Sequence, residues 1–101
     1  MLRCKSGSGT NVAVTVTLPI ETSVRRRVYQ LIWSYSSAPT NGAITSTNLE
    51  GEELEFLITA AGPGGLPLPP IYGRSGLALT FTLAAGGSGI RGTLSVVYCP
   101  D

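Results

Sequence analysis

The stretch NVAVTVTL, residues 11–18, decides the fold class of this protein. Every second residue is apolar and falls on one side of an extended chain: Val12, Val14, Val16 and Leu18. A period of two, with β-branched residues at most positions, is typical of a β-strand that is buried on one face. Pro19 ends the pattern, because proline has no N–H to donate to a neighbouring strand.

The same pattern continues along the chain. It predicts further strands near residues 28–35, 43–47, 54–58, 77–83 and 90–99, separated by turn signals that include Asn41-Gly42, residues 50–52 and residues 84–89. Residues 24–36 also place apolar side chains on one face of a helix, but a strand is favoured because β-branched and aromatic residues predominate and no helix stop signal follows.

Residues 60–70, AAGPGGLPLPP, contain four prolines, which rules out a helix and a central strand. We expect an extended, polyproline-type connection that crosses the domain. The sequence therefore predicts an all-β fold: a single-domain antiparallel β-sandwich or jelly-roll-like barrel of six to eight strands that spans residues 1–101.

Composition argues against an enzyme. The chain has no histidine, which excludes Ser–His and Cys–His nucleophiles, and its single aspartate is Asp101. We expect no catalytic residue, no cofactor and no metal site.

Charged residues make up 13% of the chain, about half the usual share of roughly 25%, and the net charge is +1. Such a charge favours neither a membrane surface nor specific nucleic acid as a partner.

No apolar run is long enough for a membrane-spanning helix, and residues 1–9 do not resemble a signal peptide, so we expect synthesis in the cytoplasm.

Glycines 86, 87 and 89 precede a strand rather than a helix, which favours a hairpin turn over a phosphate-binding loop.

Three groups of side chains have more than one interpretation. The acidic cluster of Glu50, Glu52, Glu53 and Glu55 is interpreted as a solvated turn rather than a Ca²⁺ site or a glycosidase pair. The basic run of Arg25, Arg26 and Arg27 either grips phosphate or an acidic partner, or marks an exposed strand start where arginine discourages edge pairing. Trp33 and Tyr35 share one side of their strand; core or subunit interface is favoured over a stacking platform for sugars or bases.

Two cysteines, Cys4 and Cys99, lie almost at the two ends of the chain. A disulfide between them would close a long loop, whereas cytoplasmic synthesis favours thiols, and both alternatives stay open.

The segments WSYSSAPTNG (33–42), ITAAGP (58–63), PLPP (67–70) and LAAGGSG (83–89) resemble a group of short proteins encoded among the structural genes of tailed bacteriophages. The resemblance spans residues 11–98 and does not include the cysteines. It implies a β-domain of the virion that decorates or cements the capsid by binding the major capsid protein. The alternatives are a carbohydrate- or receptor-binding module of a virion fibre and a head–tail connector or tail component.

Surplus apolar surface on a domain of this size predicts an interface. We expect a closed homo-oligomer, with a trimer favoured because icosahedral shells offer threefold positions. The arginines of residues 25–27 are expected at the rim of the contact or facing the shell. The expected contact segment contains Leu66, Pro67, Leu68, Pro69, Ile71 and Tyr72.

Overall fold

The computed structural model describes residues 3–18, 26–49, 53–73 and 77–100, with residues 26, 66–71 and 100 described by their backbone. These residues form eight β-strands: β1 (Arg3–Thr10), β2 (Val14–Leu18), β3 (Arg26–Tyr35), β4 (Gly42–Thr47), β5 (Glu55–Ile58), β6 (Gly62–Tyr72), β7 (Leu79–Leu83) and β8 (Arg91–Pro100). No helix long and apolar enough to cross a membrane occurs among the described residues.

The strands form two antiparallel sheets of four. Sheet A has the order β1-β8-β3-β6, and sheet B has the order β2-β7-β4-β5. Each strand of the first half of the chain pairs with its counterpart from the second half: β1 with β8, β2 with β7, β3 with β6 and β4 with β5. This is the order of a long hairpin folded over on itself, which is the jelly roll. The predicted all-β sandwich of jelly-roll type is confirmed.

The core lies between the inner faces of the two sheets, where the alternating apolar residues of the sequence meet. Phe81 and Leu83 of sheet B and Leu94 and Val96 of sheet A are completely buried. Burying a side chain of this size contributes roughly 1.5–3 kcal/mol. The strict alternation in residues 11–18 therefore has its expected cause, since Val14, Val16 and Leu18 point inward and Thr15 and Thr17 point outward. The strand begins at Val14, later than the pattern predicts. The placement of Val12 on the buried face is wrong: this residue lies in the bend before the strand and is 54% exposed.

Two strands differ from the sequence expectation. β1, with the sequence RCKSGSGT, lacks any alternation of apolar residues and is held by eight consecutive pairs with β8. Residues 62–72 form strand β6 rather than a connection that crosses the domain. β6 lies at the edge of sheet A, a position at which proline is tolerated. Its pairing with β3 runs from Gly62 to Pro67 and resumes at Ile71, and the break lies at Tyr29 of β3, where the strand is bulged.

Candidate interaction surfaces

The outer face of sheet B carries a regular array of threonines. β2, β7 and β4 are neighbours, and each contributes two threonines separated by one buried residue. Their register aligns the six side chains in two rows, Thr15–Thr82–Thr45 and Thr17–Thr80–Thr47. Neighbouring strands lie about 4.8 Å apart, and alternate residues of one strand about 6.7 Å apart. We call these six residues the threonine face.

The six side chains of the threonine face carry no charge. The hydroxyl oxygens of Thr15 and Thr82 approach to 3.4 Å, so the array is closely spaced across the strands. Leu57 of β5 is 70% exposed at its margin, and Glu55 lies opposite Thr45. The three Thr-x-Thr motifs are visible in the sequence, but the strand order that brings them together is not.

The outer face of sheet A is also rich in hydroxyl groups. Ser6 of β1 and Ser95 of β8 are joined by a hydrogen bond of 2.8 Å between their hydroxyl oxygens. The guanidinium group of Arg91 donates to the hydroxyl oxygen of Ser8 at 3.1 Å. Ile32, in the middle of this face, is 40% exposed. This face differs from the threonine face because it carries cationic side chains.

Trp33 and Tyr35 lie in the core, with 9% and 1% of their surfaces exposed. The indole of Trp33 packs against Phe56 with ring centroids 5.1 Å apart, and it covers Gly64 so closely that a Cβ atom there would lie 2.6 Å from the ring. Neither residue forms a surface platform for sugars or bases. Of the two favoured alternatives, core and subunit interface, the structure bears out the core, because both side chains point between the sheets.

The hydroxyl group of Tyr35 donates a hydrogen bond of 2.7 Å to the carbonyl oxygen of Ala84. Burial raises the pKa of this hydroxyl above its ordinary value of 10.0, and a weaker backbone hydrogen bond at Ala43 acts in the opposite direction. Tyr35 thereby joins β3 of sheet A to the end of β7 in sheet B, which is a structural role.

Arg27, the last residue of the arginine run, does not lie at a sheet edge. Arg27 lies on β3, which has β8 on one side and β6 on the other, so the edge-blocking interpretation is wrong for this residue. Its guanidinium carbon lies 4.5 Å from the centre of the Tyr29 ring, a cation–π contact. Arg25 and the side chain of Arg26 lie outside the described residues, so their proposed contact with phosphate or an acidic partner stays a prediction.

Neither cysteine forms a disulfide in the structure. Cys4 pairs with Val97, so Cys99 lies two residues further along the neighbouring strand, on the same outer face. Such diagonal neighbours are about 7–8 Å apart, at or beyond the separation of about 7 Å that a disulfide allows between Cα atoms. The strands are adjacent as expected, but the register offsets the two cysteines. Cys4 is exposed and Cys99 is partly buried.

The acidic cluster contributes to the fold through Glu53. Its carboxylate accepts hydrogen bonds from the backbone amides of Asn48 and Leu49 at 2.8 and 3.1 Å and from the hydroxyl group of Ser46 at 3.2 Å. Asn48 has a positive φ of 68°, so the carboxylate stabilises a left-handed bend at the end of β4. Glu50 and Glu52 lie outside the described residues.

The expected contact segment belongs to the edge strand β6. The side chains of Leu66, Pro67, Leu68, Pro69 and Ile71 lie outside the description, and Tyr72 is half-buried. Their role in self-association stays a prediction.

Among the described residues, a shallow depression of about 180 Å³ lies between the loop before β4 and the end of β5, lined by Thr40, Asn41, Gly42, Leu57, Ile58 and Thr59. Small-molecule sites usually enclose about 300–1,000 Å³, so this depression is too small for a typical ligand.

Comparison with known structures gives distant similarity at low identity. No protein-family model matches the chain, and no curated protein matches it. One similar structure is a ruminal GH26 endo-beta-1,4-mannanase, with 11% identity, a TM-score of 0.47, and 87% of this chain aligned to 18% of that chain. The chain thus spans less than a fifth of the mannanase.

Two further similar structures come from viral particles. One is the cryo-EM structure of the virus-like particle of Macrobrachium rosenbergii extra small virus, with 12% identity, a TM-score of 0.34, and 97% of this chain aligned to 78% of that chain. The other is the tripod from the baseplate of bacteriophage Tuc2009, with 15% identity, a TM-score of 0.30, and 94% and 62% of the two chains aligned. At these TM-scores, what the chain does has to be argued from its own surfaces.

Proposed function

We propose that this chain is a structural protein of a bacteriophage virion, and that it decorates or cements the capsid by binding the major capsid protein through the threonine face. The observation that carries the proposal is the two-row threonine array, a surface of six uncharged side chains on three neighbouring strands. The jelly-roll strand order adds a fold-level analogy, since viral capsid domains and lectin domains use this architecture. The sequence resemblance to small phage virion proteins points in the same direction.

The side chains of the threonine face suit the binding of a protein surface. Threonine is branched at Cβ and has a restricted χ1 angle, so it loses little conformational entropy when a partner covers it. Each side chain offers a methyl group for packing and a hydroxyl group that donates and accepts. One such contact is weak, but a shell repeats it many times, and a closed oligomer would bind several sites together with a higher effective affinity.

Two alternatives remain for the same fold. A carbohydrate-binding module would require an exposed aromatic platform, and burial of Trp33 and Tyr35 removes the candidate that the sequence offered. A head–tail connector or tail component shares the physical features of a cement protein and differs from it by location.

The test is co-sedimentation with capsid shells assembled from the major capsid protein of the same phage. We expect the unmodified protein to bind and to raise the temperature at which shells disrupt. Thr80→Arg places a charge between Thr17 and Thr47 and should abolish binding. Ser88→Arg, in the exposed turn before β8, is the matched control and should bind normally.

Failure of the folded, unmodified protein to bind shells would refute the cement role. Normal shell binding by Thr80→Arg would show that another surface makes the contact. Imaging of intact particles that locates the chain in the tail or the connector would favour that alternative instead.

A further inference from the structure

The outer edge of β1 presents a regular series of backbone groups that no other described strand pairs. The amide of Asn11 donates to the carbonyl of Ile90. Arg91 points its backbone groups to the opposite side of β8, where its carbonyl accepts from the amide of Ser36 and its amide donates to the hydroxyl oxygen of Ser36. In an antiparallel ladder the side to which backbone groups point alternates along the strand. The N–H and C=O groups of four residues of β1 must therefore point away from β8: Cys4, Ser6, Ser8 and Thr10.

The other edges among the described strands are obstructed. β6 carries Pro63 and Pro67, and the same alternation places both where an N–H would otherwise face outward from sheet A. On β2, the outward carbonyl of Thr17 accepts a hydrogen bond of 2.8 Å from the ammonium group of Lys5. β5 has four residues and offers too short a ladder. β1 has eight residues and no proline, so it is the most open edge of the described part of the chain.

We infer that a second copy of this chain binds here by strand addition, with the two β1 strands antiparallel about a twofold axis at Gly7. This register pairs all four outward residues of each copy: Cys4 with Thr10, and Ser6 with Ser8, in both directions. It requires no rearrangement of the monomer, and two four-stranded sheets become one eight-stranded sheet.

The charges of β1 fit a second copy. The register places Lys5 opposite Gly9 of the other copy and Arg3 opposite Asn11, so no cation faces another cation. The side chains that meet at the centre are small, since Gly7 faces Gly7 and Ser6 faces Ser8. Bulky side chains therefore do not hold the two edges apart.

The assembly is closed at two copies. After β1 has paired with β1, the ends of the combined sheet are the two β6 strands, whose prolines oppose further addition. This geometry gives a dimer in place of the trimer that the sequence favours. It uses the edge of sheet A and not the threonine face, so it stands independently of the proposed function.

The first experiment compares Ser8→Pro with Ser8→Ala by light scattering and sedimentation. Both variants lose the contact of Ser8 with Arg91, but proline alone removes an outward N–H while sparing the hydrogen bonds to β8. We expect the unmodified protein and Ser8→Ala to have twice the chain mass of 10.5 kDa. Ser8→Pro should associate about tenfold more weakly or worse, because each dimer loses two hydrogen bonds.

A second experiment tests the register without relying on a destabilising change. Thr10→Cys should form an intermolecular disulfide with Cys4 of the other copy on mild oxidation, since paired residues lie about 5.5 Å apart. Thr10→Cys combined with Cys4→Ser should not crosslink, because the two Thr10 positions lie at opposite ends of the pairing.

A monomeric unmodified protein at tens of micromolar would overturn the inference. A dimer that is unaffected by Ser8→Pro, or crosslinking that does not need Cys4, would overturn it as well. Capture of a capsid-protein strand at β1 by a chain that never self-associates would also count against it. The two proposals can fail separately. A variant that no longer dimerises but still binds shells leaves the proposed function intact. A variant that still dimerises but no longer binds shells leaves the strand-addition inference intact.

Discussion

Two adjacent glycines of β6 give the sharpest test of the packing described above. Gly64 and Gly65 lie on opposite faces of the same strand, opposite Trp33 and Ile32 of β3. A Cβ atom at Gly64 would lie 2.6 Å from two ring carbons of Trp33, whereas a Cβ atom at Gly65 would meet the terminal nitrogen of Gln30 at 3.2 Å. The indole is fixed in the core, but the end of the Gln30 side chain is free to move aside.

The magnitudes follow from two opposing effects. Replacing glycine by alanine restricts the unfolded chain and stabilises by about 0.4–1 kcal/mol where the native backbone accepts it. Overpacking a fixed core side chain costs about 1–3 kcal/mol. We therefore expect Gly65→Ala to be neutral or stabilising by about 0.5 kcal/mol, and Gly64→Ala to destabilise by about 1–2 kcal/mol.

Equilibrium denaturation and thermal melting of both variants measure this difference. For a domain of this size, 1 kcal/mol corresponds to a shift in Tm of about 4–8 °C, so the two variants should separate by roughly 4–20 °C. Tryptophan fluorescence should change in Gly64→Ala, because the indole has to move, and should stay unchanged in Gly65→Ala. Equal stability of the two variants would refute the placement of Trp33 over Gly64.

Two further predictions concern hydrogen bonds that tie the sheets and turns together. Tyr35→Phe leaves the Ala84 carbonyl without its donor and should cost about 1–3 kcal/mol. Because the pKa of Tyr35 is raised in the folded state, this hydroxyl group contributes to the free energy of unfolding below pH 10.0, and the contribution is lost as the pH rises through the raised pKa. Tyr35→Phe should therefore show a smaller loss of stability at alkaline pH when denaturant titrations are repeated across the pH range. An unchanged dependence on alkaline pH would contradict this. Glu53→Ala should lower the unfolding free energy by about 1.5–3 kcal/mol, because the amides of Asn48 and Leu49 lose their acceptor. Glu53→Gln keeps an acceptor oxygen and should lower it less. Glu55→Ala is the control and should change it by no more than about 0.5 kcal/mol. Equal effects of Glu53→Ala and Glu55→Ala in urea denaturation would exclude the capping role.

The sequence was informative wherever a strand is buried on one face. The alternation in β2, β7 and β8 identifies both the strand and its inner face, because burial imposes the period of two. β1 was not predicted because its glycine and serine residues show no apolar alternation, and pairing with β8 holds the strand in place. β6 was not predicted because proline normally argues against a strand, and the edge of a sheet is the place where a strand accepts it.

The candidate surfaces were less predictable than the fold. The pattern shows that Trp33 and Tyr35 share a face, but it does not show which face is covered by the other sheet. The threonine face depends on β7 lying between β2 and β4, which is a property of topology. The most open edge is likewise recognised by comparing all the edges, which requires the strand order.

The position of β8 also governs the order in which the chain can fold. It is the last strand in chain order, yet it lies between β1 and β3 and pairs with both along most of its length. As the polypeptide leaves the ribosome, β1 has no partner until residues 91–100 emerge, and the closure of so long a loop carries an entropic cost. Sheet A is therefore completed late and slowly, on the millisecond-to-second scale of folds dominated by distant contacts. Until then β1 lacks its partner strand, and the serine and glycine residues of its sequence keep that waiting segment polar.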